Sequence, residues 1–398
     1  MLRSNTVPLH QVVVIADDLT GACDTAVAFS ARGMKTEVML DWSAIEDVPV
    51  EVEVIAVDTE SRDIPTVQAR QKLKAAVNQL DIKRYPHIFK KIDSVFRGNT
   101  FEEIVAAVEE FPVELVVMAP AYPKLGRTSK DGIVRVCDLA GERTFAVRDE
   151  LQASGLTVCH VAAGSTAEEV AQALEKNLRG ECQLVYCDAM QEWDLEVVVA
   201  QGRKLAAHTL WIGSAGLAHA LAFDIAEAAG IVSSESSEEA PTKEHSGSIF
   251  FFVGSDHLVT ETQVVALLEE TDVIDCGFEE RASDGLRNGN AFLVRVKRGV
   301  TMELDIVSML GRIHPNDVSC LFMTGGDTAT LVCRALGIQS LRLDDEFASG
   351  LPRGVAVGGT LAGSIVILKS GGFGDADVLC RIVREYQHSA KRRDEVVR

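Results

Sequence analysis

The 398-residue sequence lacks long apolar runs and has no excess of positive charge. One of its purer apolar segments, residues 249–253, is far shorter than the ~18 residues or more of a membrane-spanning helix. Asp and Glu number 59 against 39 Lys and Arg, which gives a formal charge of −20. Such a chain has little basic surface for nucleic-acid phosphates or anionic lipids. We therefore expect no nucleic acid and no membrane among its partners, and an anionic ligand would need a local cluster of positive charge.

Disulfide and metal-binding patterns are also missing. The nine cysteines are odd in number and never spaced C-x-x-C, and the nine histidines form no H-x-H or H-E-x-x-H motif. We therefore predict no zinc site and assign no metal-ligating residues. Most of the cysteines lie in apolar segments, as is usual for buried thiols in a reducing compartment. Because the polar N-terminus does not resemble a signal peptide, the expected location is cytoplasmic.

Several common nucleotide-binding and catalytic motifs do not occur. The sequence contains no G-x-x-x-x-G-K-[ST], no G-x-G-x-x-G after a predicted strand, and no G-x-S-x-G. Their absence argues against a P-loop protein, a dinucleotide-binding fold and an α/β-hydrolase.

Both halves of the chain alternate short apolar runs with longer helical patterns. The apolar runs are nearly continuous, as in parallel strands that are covered on both faces. The segment 230–247 is rich in Ser and Glu and has few large apolar residues, which predicts a linker at 231–247 between a domain at 1–230 and another at 248–398. The predicted fold class is α/β, with two domains, each a mainly parallel sheet flanked by helices, and a cleft between them.

Charged residues collect where the predicted strands of the first domain end, which is where ligands of such sheets bind. Asp17 and Asp18 follow the first strand, Arg62 follows the third, and the segment 90–97 follows the fourth. Adjacent carboxylates can orient a hydroxyl, accept its proton or bind a metal, although Asp18 could also serve as a helix cap. Arg62 suits either a substrate carboxylate or an ion pair. The segment 90–97 leads into a predicted helix N-terminus and supplies the local positive cluster that an anionic ligand needs.

Two further segments of the first domain allow two interpretations each. Residues 119–132 combine two prolines and two glycines with Lys124, Arg127 and Lys130, which fits a rigid cationic loop or a structural turn. Residues 213–218, which read GSAGLA, suit an anion-binding turn or close packing of a strand against a helix.

The second domain is rich in glycine at its predicted strand ends. Residues 253–257, 324–329 and 369–375 each join Gly to Ser or Thr directly after a strand. Three such turns can present several backbone N–H groups to a polyphosphate, and Lys369 would add a point charge. We therefore predict a nucleotide-binding domain.

An anion-binding domain and a nucleotide-binding domain together suggest a small-molecule kinase, in which an Asp accepts the hydroxyl proton and Mg²⁺ bridges the phosphates of ATP. The sequence also resembles the four-carbon acid sugar kinase family, formerly domain of unknown function 1537. The matching segments occur in the family's order and cover nearly the whole chain: ADDLTGACDTA (16–26), KKIDSVFRGN (90–99), APAYPKLGRTSKDG (119–132), GSAGLA (213–218), GGDTA (325–329) and KSGGFG (369–374).

The resemblance implies ATP-dependent phosphorylation of the terminal 4-hydroxyl of a four-carbon sugar acid. D-threonate is the first expectation, followed by D-erythronate and 3-oxo-tetronate. Carried over by position, the family's acid-sugar contacts fall on Asp18, Arg62, Lys90, Lys91, Ile92 and Asp93, with Arg97 nearby. The adjacent carboxylate Asp17 completes the predicted substrate-binding residues. The catalytic candidates are Asp18 and Asp93. The family's ATP contacts fall on Ser255, Gly325, Gly326, Asp327, Thr328 and Gly371. Lys369 and Gly372, from the turn after the last strand, complete the predicted ATP-binding residues.

The chain departs from the family near the expected acid-sugar pocket. It reads DSVFRGN where the family often has DST-L-RGN, and PKLGRTS where the family often has P-E-N-GRTT. These departures leave the reaction class intact and the substrate open. Alternatives from other classes are a non-catalytic sugar-acid sensor and a lyase or isomerase without ATP. A homodimer is a reasonable expectation for a metabolic enzyme of this size, although no residue indicates one.

Overall fold

The structure of the protein is a computed structural model that describes residues 12–41, 45, 48–80, 85–138, 141–231, 247–276, 289–296, 303–310 and 313–396. Most of the predicted linker, residues 232–246, therefore lies outside the described residues. Contacts divide the chain into unit 1, residues 1–36 and 42–233, and unit 2, residues 37–41 and 234–398. No helix in these described ranges is long and apolar enough to cross a membrane.

The strands are β1 Val12–Ala16, β2 Thr36–Met39, β3 Val54–Asp58, β4 His87–Lys91, β5 Leu115–Ala119, β6 Arg127–Lys130, β7 Ile133–Asp138, β8 Gly141–Phe145, β9 Val158–Val161, β10 Leu184–Cys187, β11 Thr209–Gly213, β12 Ser248–Val253, β13 Ile274–Cys276, β14 Ala291–Arg295, β15 Val318–Thr324, β16 Ser340–Ala348, β17 Leu351–Val357 and β18 Ile365–Lys369. The helices are α1 Leu19–Ser30, α2 Thr66–Gln79, α3 Thr100–Glu110, α4 Val147–Ala153, α5 Ala167–Leu178, α6 Glu192–Leu205, α7 Ala215–Ala229, α8 Leu258–Glu270, α9 Glu303–Leu310, α10 Gly326–Ala335 and α11 Val378–Val396.

Unit 1 is built on a parallel sheet in the order β3-β1-β4-β11-β5-β10-β9. β1, β3, β4 and β5 are buried along their whole length, as the continuous apolar runs predict. A separate antiparallel sheet contains β6, β7 and β8, and β6 lies within the segment 119–132 that the sequence suggested as a rigid loop or a turn. The order places β1 between β3 and β4, so the residues that follow these three strands share one edge.

Unit 2 contains a mixed sheet in the order β13-β14-β12-β15-β18-β17-β16-β2. The five strands β13, β14, β12, β15 and β18 pair in parallel in that order. β17 pairs antiparallel with β18 and with β16. The segment 37–41 belongs to this unit, because the Leu40 N–H donates to the Gln339 carbonyl and Ser340 pairs with Glu37. The core packs Phe251 and Phe322 with apolar side chains of α8 and α11. Both units confirm the predicted α/β class.

Candidate active site

The two carboxylates after β1 are bound by a single arginine. Arg62 donates from Nε and Nη2 to the two carboxylate oxygens of Asp17, at 2.8 Å each, and from Nη1 to Asp18 Oδ2 at 2.5 Å. Its Nη2 also lies 3.6 Å from Asp93 Oδ2, and all four side chains are at most 14% exposed. Burial alone lowers the pKa of Arg62, but the charges of Asp18 and Asp17 reverse that effect and raise it. The structure therefore brings together the predicted residues from three strand ends.

Asp18 also caps helix α1. Its Oδ1 accepts from the Gly21 N–H at 2.8 Å, and its Oδ2 accepts from Thr20 Oγ1 at 2.8 Å. The structure therefore confirms the helix-cap interpretation of Asp18 and pairs the same carboxylate with Arg62, whereas its role toward a substrate stays a prediction.

Asp93 forms the centre of the loop after β4. Its Oδ1 accepts from the N–H groups of Val95 and Arg97, and its Oδ2 accepts from Arg97 Nε and Nη2, at 3.1 and 2.6 Å. Burial raises the pKa of Asp93, but hydrogen bonds and charge from Arg97, together with the charge of Arg62, hold it well below its usual range. Asp93 is therefore a strongly ionised structural anchor, and the Arg97 side chain remains 60% exposed.

Two residues that the sequence did not assign hold the Arg62 loop in place. Asn99 Nδ2 donates to the carbonyls of Ser61 and Ile64, at 2.9 and 2.8 Å. Gly98 has a φ of +66°, and a Cβ there would lie 2.5 Å from the Arg62 carbonyl oxygen. Both residues occur in the RGN triplet, so its glycine was the available signal of a close backbone approach.

The adjacent lysines of β4 have different roles. Lys90 is 1% exposed, and its Nζ forms an ion pair with Glu103 Oε2 at 2.7 Å and donates to the Lys91 carbonyl at 2.9 Å. Lys91 is 5% exposed, and its ammonium makes no hydrogen bond or ion pair with any described residue. Its Nζ lies 3.4 Å from where a Cβ on Gly21 would stand. Lys90 therefore stabilises the packing of β4 on α3, whereas the Lys91 ammonium lies beside Asp18 without a described partner.

The other two candidate anion-binding segments of unit 1 make structural contacts. A Cβ on Gly216 would lie 2.6 Å from the Ala121 carbonyl oxygen, and Ser214 Oγ donates to the same oxygen at 3.1 Å. The GSAG turn therefore serves close packing. Arg127, at the start of β6, donates from Nη1 to Ser94 Oγ at 2.5 Å and so connects its loop to the Asp93 loop. Ile92 is buried and donates its N–H to the Gly213 carbonyl.

The three glycine turns of unit 2 lie together. A Cβ on Gly371 would lie 2.2 Å from Ser255 Oγ, and one on Gly254 would lie 2.0 Å from Thr328 Oγ1. Gly325 has a φ of +97° and lies between these turns, with the Ser255 N–H 3.7 Å from its Cβ position. This cradle of backbone between the N-termini of α8 and α10 fits the phosphates of a nucleotide. It contains Ser255, Gly325, Gly326, Asp327, Thr328, Gly371 and Gly372.

Lys369 supports this cradle from within. The residue is fully buried, and its Nζ donates to Thr260 Oγ1 and to the carbonyls of Ser370 and Gly371, at 2.9 to 3.1 Å. Burial lowers the pKa of its ammonium to about 7. All three ammonium hydrogens have acceptors in the protein, so a direct phosphate contact would require one of these bonds to break.

Two family models match the chain. One described as "Sugar-binding N-terminal domain" matches residues 12–221, more than half of the sequence, and one described as "Nucleotide-binding C-terminal domain" matches residues 294–379. A D-threonate kinase of Bordetella bronchiseptica is 30% identical over 395 residues, covering 92% of this chain and 95% of the relative. A D-threonate kinase of Salmonella typhimurium is 28% identical over 426 residues, covering 93% and 97%. The chain belongs to the four-carbon acid sugar kinase family.

Other relatives of this kinase carry different substrate names. A D-erythronate kinase of Heliobacterium modesticaldum is 25% identical, covering 94% of this chain and 97% of the relative. A 3-oxo-tetronate kinase of Brucella melitensis is 24% identical, covering 91% and 92%. All of them are kinases of four-carbon sugar acids, so this enzyme is a phosphotransferase that acts on an alcohol group of such an acid.

A solved structure shares the fold of the kinase. Haemophilus influenzae protein HI1011 aligns with a TM-score of 0.69 at 22% identity, covering 94% of this chain and all of that one. At this identity the likeness concerns the fold alone, which agrees with the α/β architecture expected of the family.

Proposed function

We propose that this kinase transfers the terminal phosphoryl group of ATP to the 4-hydroxyl of D-threonate. Relatives named D-threonate kinase, at 28–30% identity, support this substrate over the acids named for relatives at 24–25%. One structural observation carries the proposal: the buried Lys91 ammonium has no partner among the described residues and lies beside Asp18 and the N-terminus of α1. A sugar acid offers a carboxylate for that cation and hydroxyls for the neighbouring carboxylates.

In this proposal the residues of unit 1 bind and orient the acid. Lys91 pairs with its carboxylate, and the exposed guanidinium of Arg97 adds a second donor. Asp18 accepts a hydrogen bond from a substrate hydroxyl. Arg62 pairs with Asp17 and Asp18, so the positions of both carboxylates are set before the substrate arrives.

The cradle of unit 2 fits the phosphates of ATP through backbone N–H groups and Ser255. Mg²⁺, when bound, neutralises phosphate charge during the transfer. The described residues contain no group of three or more His, Cys, Asp or Glu that could hold a metal ion. Mg²⁺ is usually bound by one or two carboxylates together with water and the phosphates of the substrate.

The test is release of ADP from ATP and Mg²⁺ in parallel reactions with D-threonate, D-erythronate, L-threonate and 3-oxo-tetronate. We expect turnover with D-threonate to exceed turnover with the other three acids. Lys91→Met should raise KM for the acid about 10- to 100-fold, the equivalent of one lost charged hydrogen bond, with little change in KM for ATP. Lys74→Met, which removes a half-exposed lysine of α2, is the control. Preference for another acid would refute the substrate, and an unchanged KM in Lys91→Met would refute the role of Lys91.

We also propose a cytoplasmic location and a homodimer. All nine cysteines are free, which favours a reducing compartment. Light scattering of the purified protein should give twice the chain mass of 43.0 kDa, and a value near one chain mass would refute the dimer.

A further inference from the structure

Asp24, on helix α1, is a buried carboxylate without a hydrogen-bond donor. It is 7% exposed, and within the described part of the chain it forms neither a hydrogen bond nor an ion pair. Asp17, Asp18 and Asp93 differ, because Arg62 or Arg97 pairs with each of them. A buried carboxylate without a partner costs free energy, so its presence beside a ligand site requires a chemical explanation.

The surroundings of Asp24 connect it to the acid-binding residues. Asp24 lies three residues after Gly21 in α1, and side chains at this spacing lie on one face of a helix. The Lys91 Nζ lies against that face at Gly21. The charged groups that act on Asp24 are Lys91, Arg127 and Asp18. Burial raises the pKa of Asp24, and the two cations only partly offset that effect.

The two carboxylates that the sequence suggested as proton acceptors are poorly suited to that role. Asp93 accepts four hydrogen bonds, and its pKa is held well below the usual range, so it has little affinity for a proton. Asp18 accepts from Thr20, Gly21 and Arg62. A general base needs an available lone pair and sufficient basicity.

We infer that Asp24 is the general base of the reaction and accepts the proton of the reacting hydroxyl of the sugar acid. This inference rests on the proposed function. The O–H bond of the hydroxyl breaks, and its proton passes to an Asp24 carboxylate oxygen. The hydroxyl oxygen forms a bond to the γ-phosphorus of ATP while the bond from that phosphorus to the β–γ bridging oxygen breaks. ADP leaves with that electron pair, and Asp24 then releases its proton to solvent.

The decisive variant is Asp24→Asn, which keeps the size of the side chain and removes its basicity. We expect kcat to fall on the order of 10²- to 10⁴-fold, the usual contribution of general-base catalysis. The dissociation constant of the sugar acid, measured by calorimetry without ATP, should change less than about threefold, because binding does not require the proton transfer. The melting temperature should not fall, because an amide replaces a carboxylate that is disfavoured by burial.

Asp58→Asn is the matched control. Asp58 is also buried with a raised pKa, but it accepts from the Glu60 N–H, and the charges that act on it are all negative. We expect its kcat to stay within about threefold of the unmodified enzyme, since general-base catalysis is lost only when the base itself is removed.

Four outcomes would overturn the assignment. The first is a kcat of Asp24→Asn within about threefold of the unmodified enzyme, and the second is an equal fall of kcat in Asp58→Asn. The third is a loss of acid binding in Asp24→Asn that accounts for its loss of rate, and the fourth is failure of Asp24→Asn to fold. The last would show that Asp24 has a structural role. An unmodified enzyme that is inactive with every four-carbon acid would instead refute the proposed function.

Discussion

Replacing Arg62 with Met should destabilise unit 1 far more than the loss of a surface ion pair would. Arg62 is 14% exposed and lies among three carboxylates that are 5 to 11% exposed. Removing one partner of a buried ion pair leaves uncompensated charge and costs about 3–5 kcal/mol. The loss should shrink as the pH falls towards the ordinary carboxyl pKa of 3.8, because Arg62 contributes, after Arg97, to the lowered pKa of Asp93, and without Arg62 this carboxylate takes up a proton more readily.

The assay is urea unfolding followed by tryptophan fluorescence at pH 8 and pH 4. Trp193 and Trp211 lie in unit 1, and residues 234–398 contain no tryptophan, so the signal reports unit 1. Arg70→Met is the control, since the Arg70–Glu109 pair is 40% and 50% exposed and should contribute about 0.2–1 kcal/mol. A loss in Arg62→Met below about 1 kcal/mol, or a loss equally large at pH 4, would refute the reasoning.

Two further predictions concern the supports of the site. Lys90→Met and Glu103→Leu should each lower the free energy of unfolding in urea by about 3–5 kcal/mol, but the double variant should recover most of that loss, because an apolar pair can replace a buried ion pair. Additive losses in the double variant would contradict this prediction. Gly98→Ala should lower the free energy of unfolding by about 1–3 kcal/mol more than Gly164→Ala and should weaken acid binding, because both glycines have positive φ but only a Cβ at Gly98 would contact other atoms. Equal losses in the two variants would contradict this prediction.

The sequence predicts which residues lie in the site better than it predicts which of them pair with one another. Asp17, Arg62 and Asp93 each follow an apolar run, and parallel strands end at a common edge, so their proximity was predictable. The order β3-β1-β4 that makes them neighbours is a tertiary property. The sequence also did not indicate that Lys90 pairs with Glu103 whereas Lys91 lacks a described partner. Successive strand residues point to opposite faces, and only the position of α3 decides which lysine meets Glu103.

The hairpin of β16 and β17 was not predicted for unit 2. Its strands carry polar residues such as Asp345 and Glu346 together with Pro352, and they lack the continuous apolar character of the parallel strands. Antiparallel pairing next to a buried parallel sheet leaves a weaker pattern in the sequence. The burial of Lys369 was not predictable either. The KSGG motif suggested a lysine that offers its charge to a phosphate, but it does not indicate that this lysine is buried and donates to Thr260 and Gly371.

The central claim is transfer of a phosphoryl group to the 4-hydroxyl of a four-carbon sugar acid, and the product tests it most directly. Incubation of the kinase with ATP, Mg²⁺ and D-threonate should give a phosphomonoester whose phosphorus couples to the two C4 protons in a ³¹P–¹H correlation spectrum. The account predicts this one product. A phosphate on C2 or C3, or no phosphomonoester from D-threonate, D-erythronate, L-threonate or 3-oxo-tetronate, would contradict it.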